Sequence, residues 1–207
     1  MNLKQMTSCI SAVAAMTFSM NLHAGDAAKG KSLWATCSAC HGPKGEGNAM
    51  MKGPALAGLQ DWYLKGQLKK FKGGVRGSHP KDLTGMQMKA MSMILNEQGV
   101  EDVLAFLKTQ PIVKPAAVIK GDIVKGKMLY MTCLACHGDK GQGQLALKAP
   151  ALANLPDWYV VAQLKKFKSG IRGAHPSDVE GALMRPMASI LPDEAAMNDV
   201  AAYIRSL

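Results

Sequence analysis

Five residues, Cys37-Ser38-Ala39-Cys40-His41, return 96 positions later as Cys133-Leu134-Ala135-Cys136-His137, and their surroundings return with them. Of the 71 residues from Gly25 to Leu95, 41 are identical at that offset, among them Pro54-Ala55-Leu56-Ala57, Asp61-Trp62-Tyr63, Gln67 to Lys72 and His79-Pro80. One module has been duplicated, so whatever one copy folds into, the other does too. The repeat predicts a first domain over residues 25–110 and a second over 121–207. The linker, 111–120, carries Pro111 and Pro115 and no helical periodicity.

The spacing of the cysteines narrows the chemistry. Thiols three positions apart lie about one helical turn apart, so both can reach the two vinyl groups on one edge of a haem and form thioether bonds. The residue after them, His41 or His137, then supplies an imidazole nitrogen to the iron. A thioredoxin-like redox pair needs a βαβ context and gives no reason for the histidine. A zinc site built from two CxxC knuckles has them about 15–20 residues apart, far closer than here. The motif therefore implies two covalently attached haem c groups, held by Cys37, Cys40, Cys133 and Cys136.

Residues 1–24 stand apart from the repeat. Lys4 precedes an uncharged apolar run from about Cys9 to Met20, and Leu22-His23-Ala24 offers a small residue for cleavage before Gly25. This is the pattern of a secretory signal peptide. The run falls short of the roughly 20 apolar residues needed to span a bilayer, which makes an uncleaved anchor the weaker alternative. All four remaining cysteines belong to the CxxCH motifs, leaving none for a structural disulfide. Export without disulfides fits a bacterial periplasm, where haem is attached to exported apoprotein.

Each module reads as a few short helices on loops, without alternating strand patterns, and the fold class is all-α. Asp26 is placed to cap a helix through Gly30, Leu33, Trp34 and Cys37, and Asp122 a copy through Gly126, Leu129, Tyr130 and Cys133. A second helix is expected from Asp61 as N-cap, burying Leu64, Leu68 and Phe71 and stopping at Gly73-Gly74, with Asp157, Val160, Leu164 and Phe167 as its copy. Closing helices carry Val103, Leu104, Phe106 and Leu107, and Val200, Ala201, Tyr203 and Ile204. A module of fewer than about 100 residues has a marginal apolar core, and a buried haem would complete it.

An electron carrier benefits from iron coordinated on both faces, and methionine sulfur opposite histidine raises the potential. Among 15 methionines, only Met88 with Met184 and Met91 with Met187 recur at the repeat offset; Met86 falls on Ala182 and Met93 on Ser189. With these residues in hand, the chain from Gly25 to Leu207 resembles the dihaem cytochromes c of the c4 type, two class I cytochrome c domains in tandem. In that family the axial methionine stands seven positions before the leucine leading into the last helix. The resemblance thus implies Met88 and Met184, ahead of Leu95 and Leu191, with Met91 and Met187 as the runner-up pair, which as methionines also suit gap filling beside a haem.

The resemblance implies further roles. Pro54 and Pro150 match the proline whose carbonyl accepts a hydrogen bond from the ligating histidine. Gly30 and Gly126 match the glycine where the first and last helices cross, with Phe106 and Tyr203 as aromatic partners. His79 and His175, in Gly-x-His-Pro sequences, read as loop histidines rather than ligands. Arg76 and Arg172 are candidates to pair with haem propionates, or are exposed arginines with no such role.

The net charge of +10 would suit nucleic acid, but an exported haem protein makes that partner implausible. Lys69, Lys70 and Lys72, repeated as Lys165, Lys166 and Lys168, read as a solvated helix face, or as a basic rim that steers docking onto an acidic partner. The expected function is single-electron transfer between redox protein partners, a membrane-bound donor and a terminal oxidase or reductase, with peripheral membrane association as an option. The alternative is the cytochrome subunit of a dehydrogenase or oxidase complex. A dihaem peroxidase and a haem-based gas sensor both need an open iron site, and the near-identity of the modules argues against such specialisation.

Overall fold

The computed structural model describes residues 24–207; apart from Ala24, the expected leader lies outside the described residues. Among the described residues eight helices fall into two sets of four: α1 (Ala27–His41), α2 (Asp61–Lys72), α3 (Leu83–Ser92) and α4 (Glu97–Lys108), then α5 (Ile123–His137), α6 (Asp157–Lys168), α7 (Val179–Ser189) and α8 (Glu194–Ser206). Among the described residues the extended pairing is limited to two isolated bridges, Asn48 with Gly53 and Gln144 with Ala149.

The first and last helices of each set cross at a glycine. A Cβ at Gly30 would lie 1.9 Å from the Asp102 carbonyl oxygen of α4, and one at Gly126 would lie 2.0 Å from that of Asp199 in α8. Only a residue without a side chain permits this approach. Asp26 and Asp122 cap α1 and α5, accepting the N–H groups two and three residues on. Their own N–H groups donate to the side chains of Asp102 and Asp199, at 2.8 and 2.7 Å, which fixes the register of the crossing. Trp34 packs on Phe106 and Tyr130 on Tyr203, ring centroids 5.9 and 5.3 Å apart. Val103, Leu104 and Leu107 of α4, and Val200, Ala201 and Ile204 of α8, complete the buried face.

The second helix departs from expectation at its start. Gln60 and Pro156 occupy the N-cap positions without side-chain caps, and Asp61 and Asp157 are the first helical residues. The two aspartates then serve different ends. Asp61 pairs with Lys108 at the surface. Asp157, buried, accepts the backbone N–H groups of Val118 and Ile119 at 2.9 and 3.0 Å and so ties the linker to the second module.

Helices α3 and α7 are not among those expected from the sequence; α3 carries three methionines, and α7 contains Pro186. They are started instead by Asp82 and Asp178, whose carboxylates accept the N–H of Gly85 and Gly181. No helix among the described residues is long and apolar enough to cross a membrane.

Two outcomes test this account. Gly30→Ala or Gly126→Ala should lower unfolding free energy by about 1–3 kcal/mol, read from the guanidinium midpoint, because the helices must separate to admit the methyl group. Asp157→Ala should cost about 1–3 kcal/mol by leaving two linker N–H groups without their acceptor, whereas Asp61→Ala at the matching position should cost under about 1 kcal/mol.

Candidate functional site

The last turn of α1 brings Cys37, Cys40 and His41 to one wall of a cavity of about 490 Å³, within the range of about 300–1,000 Å³ typical of cofactor pockets. Met88 and Met91, half-buried on α3, line it too, and so do Pro54, Leu68, Phe71 and Arg76. In the second module Cys133, Cys136 and His137 end α5, Leu164 and Phe167 lie on α6, Met184 and Met187 lie on α7, and Pro150 and Arg172 lie in the loops before and after α6. His79 and His175 stay in their loops, where their Nδ1 atoms accept the N–H of Lys81 and Ser177.

A glycine-rich loop sets each histidine. Beyond His41 the chain turns through Gly42, Gly45 and Gly47, all at positive φ, and doubles back so that Leu56 and Ala57 donate to the Gly45 carbonyl. This lays the Pro54 carbonyl 2.8 Å from His41 Nδ1, and Pro150 lies 2.9 Å from His137 Nδ1. A carbonyl can only accept, so Nδ1 carries the proton and Nε2 keeps its lone pair for a metal. Burial pushes both imidazoles below their ordinary pKa, partly offset by the bond to proline, and so favours the neutral, ligating form. The carbonyl after each histidine is also satisfied: Trp34 Nε1 donates to Gly42 at 3.0 Å, and the Tyr130 hydroxyl to Gly138 at 2.8 Å.

Arg76 and Arg172 are not the exposed arginines the sequence allowed. They meet at the junction of the modules. The Gln67 side-chain oxygen accepts from Arg76 at 2.5 Å and from Arg172 at 3.1 Å; that of Gln163 accepts from Arg172 at 2.9 Å and from Arg76 at 3.4 Å. Two guanidinium groups thus share two neutral oxygens. Both Nε atoms are buried and lack a hydrogen-bond partner among the described residues. Burial and then the neighbouring Arg172 charge hold Arg76 below its ordinary pKa, as expected of a cation lacking a nearby anion. Such a pair would suit an anionic guest, and the propionates of a bound haem are groups of that kind.

The lysines also do more than the sequence suggested. Lys70 reaches Asp178 and Glu180, Lys166 reaches Asp82 and Thr84, Lys72 and Lys168 donate to the carbonyls of Leu95 and Leu191, and Lys165 pairs with Glu194. Of the six, Lys70, Lys165 and Lys166 are paired with carboxylates of the chain, while Lys69, Lys72 and Lys168 are exposed and meet no carboxylate among the described residues. Sequence reasoning missed Gln67 and Gln163, and it missed the cross-module use of Lys70 and Lys166. The recurring Asp-x-x-Gly at Asp82 and Asp178 was the one available sign of the latter.

Comparison with known proteins identifies the family. The family model described as Cytochrome c matches residues 27–111 and again 123–207. The chain is 32% identical over 197 residues to Cytochrome c4 of Azotobacter vinelandii, covering 89% of this chain and 90% of that protein. It is 29% identical over 196 residues to the Thiosulfate dehydrogenase electron acceptor of Stutzerimonas stutzeri strain A1501, covering 86% and 87%. The crystal structure of reduced recombinant cytochrome c4 from Pseudomonas stutzeri superposes with a TM-score of 0.69 at 29% identity, covering 89% of this chain and 100% of that one. With two matched domains, two CxxCH motifs and a cavity shaped by them, the chain belongs to the cytochrome c family as a dihaem, electron-transferring cytochrome of the c4 type.

Proposed function

We propose that the chain is a periplasmic shuttle that carries single electrons between respiratory-chain partners, with His41 and Met88 ligating one iron and His137 and Met184 the other. Cys37, Cys40, Cys133 and Cys136 supply the thioether links. Haem c, when bound, provides an iron that cycles between Fe(II) and Fe(III).

The protein's own contribution is to hold that couple still. Each histidine is fixed in tautomer and direction by a proline carbonyl, at 2.8 Å in the first module and 2.9 Å in the second. That equivalence is the observation on which the proposal rests, because an enzyme would need one site to differ from the other. Each methionine offers a neutral sulfur that suits both oxidation states, on a helix that begins at a capped aspartate. Arg76 and Arg172 balance the charge of propionates and keep water from having to do so.

The relative named as the electron acceptor of a thiosulfate dehydrogenase favours a second reading, in which the donor is a dehydrogenase and the cytochrome its dedicated partner. Copurification of a stoichiometric partner from the native host would select that reading over a free shuttle.

A redox titration of the purified holoprotein is expected to take up two electrons per chain. The oxidised protein should show the weak red-end charge-transfer band of sulfur-ligated ferric haem, and replacing Met88 or Met184 by alanine should each remove about half of it. Loss on replacing Met91 or Met187 instead would transfer the ligand assignment to that pair.

A further inference from the structure

We propose that Lys70 and Lys166 are positioning residues that act across the junction: each leaves its own module to hold the start of the methionine-bearing helix in the other. The proposal rests on the reading that α3 and α7 carry the axial methionines. It is the same for Met88 and Met184 as for Met91 and Met187, since both pairs ride on those helices.

The contacts are specific and paired by the repeat. Lys166 Nζ, on α6, lies 2.6 Å from Asp82 Oδ1 and 2.7 Å from Thr84 Oγ1 at the start of α3. Lys70 Nζ, on α2, lies 2.6 Å from Asp178 Oδ1 and 2.6 Å from Glu180 Oε2 at the start of α7. Asp82 and Asp178 are the N-caps, so each carboxylate sits between a lysine of one module and the helix N–H groups of the other. Glycine three residues on makes the room: a Cβ at Gly85 would fall 2.0 Å from Asp82 Oδ2, and one at Gly181 would fall 2.1 Å from Asp178 Oδ2.

Burial separates these pairs from ordinary surface ones. The Asp82 and Asp178 side chains are 4% and 2% exposed and both lysines 18%, whereas Lys65 paired with Glu101 is 59% exposed. An exposed pair adds little, but removing one partner of a buried pair strands a charge. Lys166 and Thr84 also line the first module's cavity, so the ion pair of Lys166 with Asp82 borders the space a haem would occupy. Loss of the lysine would leave the Asp82 carboxylate uncompensated there, favour the ferric state and lower the potential of an iron bound in that cavity.

The test uses the full-length holoprotein with Lys166→Gln, Lys166→Arg and Lys70→Gln. Two quantities are read: backbone amide exchange at Gly85 and Gly181, and the two potentials, each assigned through its axial-methionine resonances. Lys166→Gln should speed exchange at Gly85 about tenfold, leave Gly181 as in the parent, and lower the first module's potential more than the second's. Lys166→Arg should restore most of both effects, and Lys70→Gln should give the mirror pattern at Gly181. Exchange altered only on the lysine's own helix, equal falls in both potentials, or no change would overturn the proposal. Persistence of the full sulfur band, with no loss of the first module's half, when Met88 and Met91 are both replaced would instead defeat the ligand reading, while the exchange measurement would still decide whether the lysines grip across the junction.

Discussion

The first module of this protein folds beside a cavity that its own side chains do not fill, the repeated motif asks the same of the second, and that constraint orders the rest. A module of this size, without disulfides, buries too little apolar surface to stand securely on side-chain packing alone. Its helices therefore do two tasks. One pair, crossing at Gly30 or Gly126, holds the ends of each module together. In the first module, surfaces of α2 and α3 face the space that a covalently held haem would fill. The thioether links make that filling permanent, so the cofactor is also a structural member.

How much of this was legible depended on what kind of signal each part leaves. The CxxCH motifs have a fixed local geometry, and the repeat doubled their weight. The last helix of each module shows its buried face as regular spacing, whereas α1 and α5 are marked by their caps, Asp26 and Asp122, and leave Leu33 exposed. By contrast α3 and α7 are held by a cap, a glycine and a lysine distant in sequence, so periodicity could not reveal them. Asp61 and Asp157 look alike in sequence, yet one pairs with a surface lysine and the other with linker backbone. Nothing local distinguishes them. The arginine and glutamine cluster was hidden for the same reason, because its members come together only when the modules dock.

That docking gives the molecule a shared interior. Leu155, Tyr159, Gln163 and Lys166 of the second module line the cavity of the first. The two halves are therefore not independent beads on a string. Their near-symmetry is also incomplete: where the first module offers Thr84 to the opposing lysine, the second offers Glu180, whose carboxyl Lys70 holds below its ordinary pKa. One charge of difference at equivalent places sets the electrostatic surroundings of the two modules apart.

Trp34 and Tyr130 carry this further. An indole nitrogen and a phenol oxygen, differing in size, polarisability and acidity, serve the same carbonyl at nearly the same distance. What the architecture demands is a donor at one point in space, and it is indifferent to the ring that brings it. Duplication thus leaves the chain two separately adjustable electronic surroundings under a single structural plan, free to drift apart in chemistry while remaining interchangeable in shape.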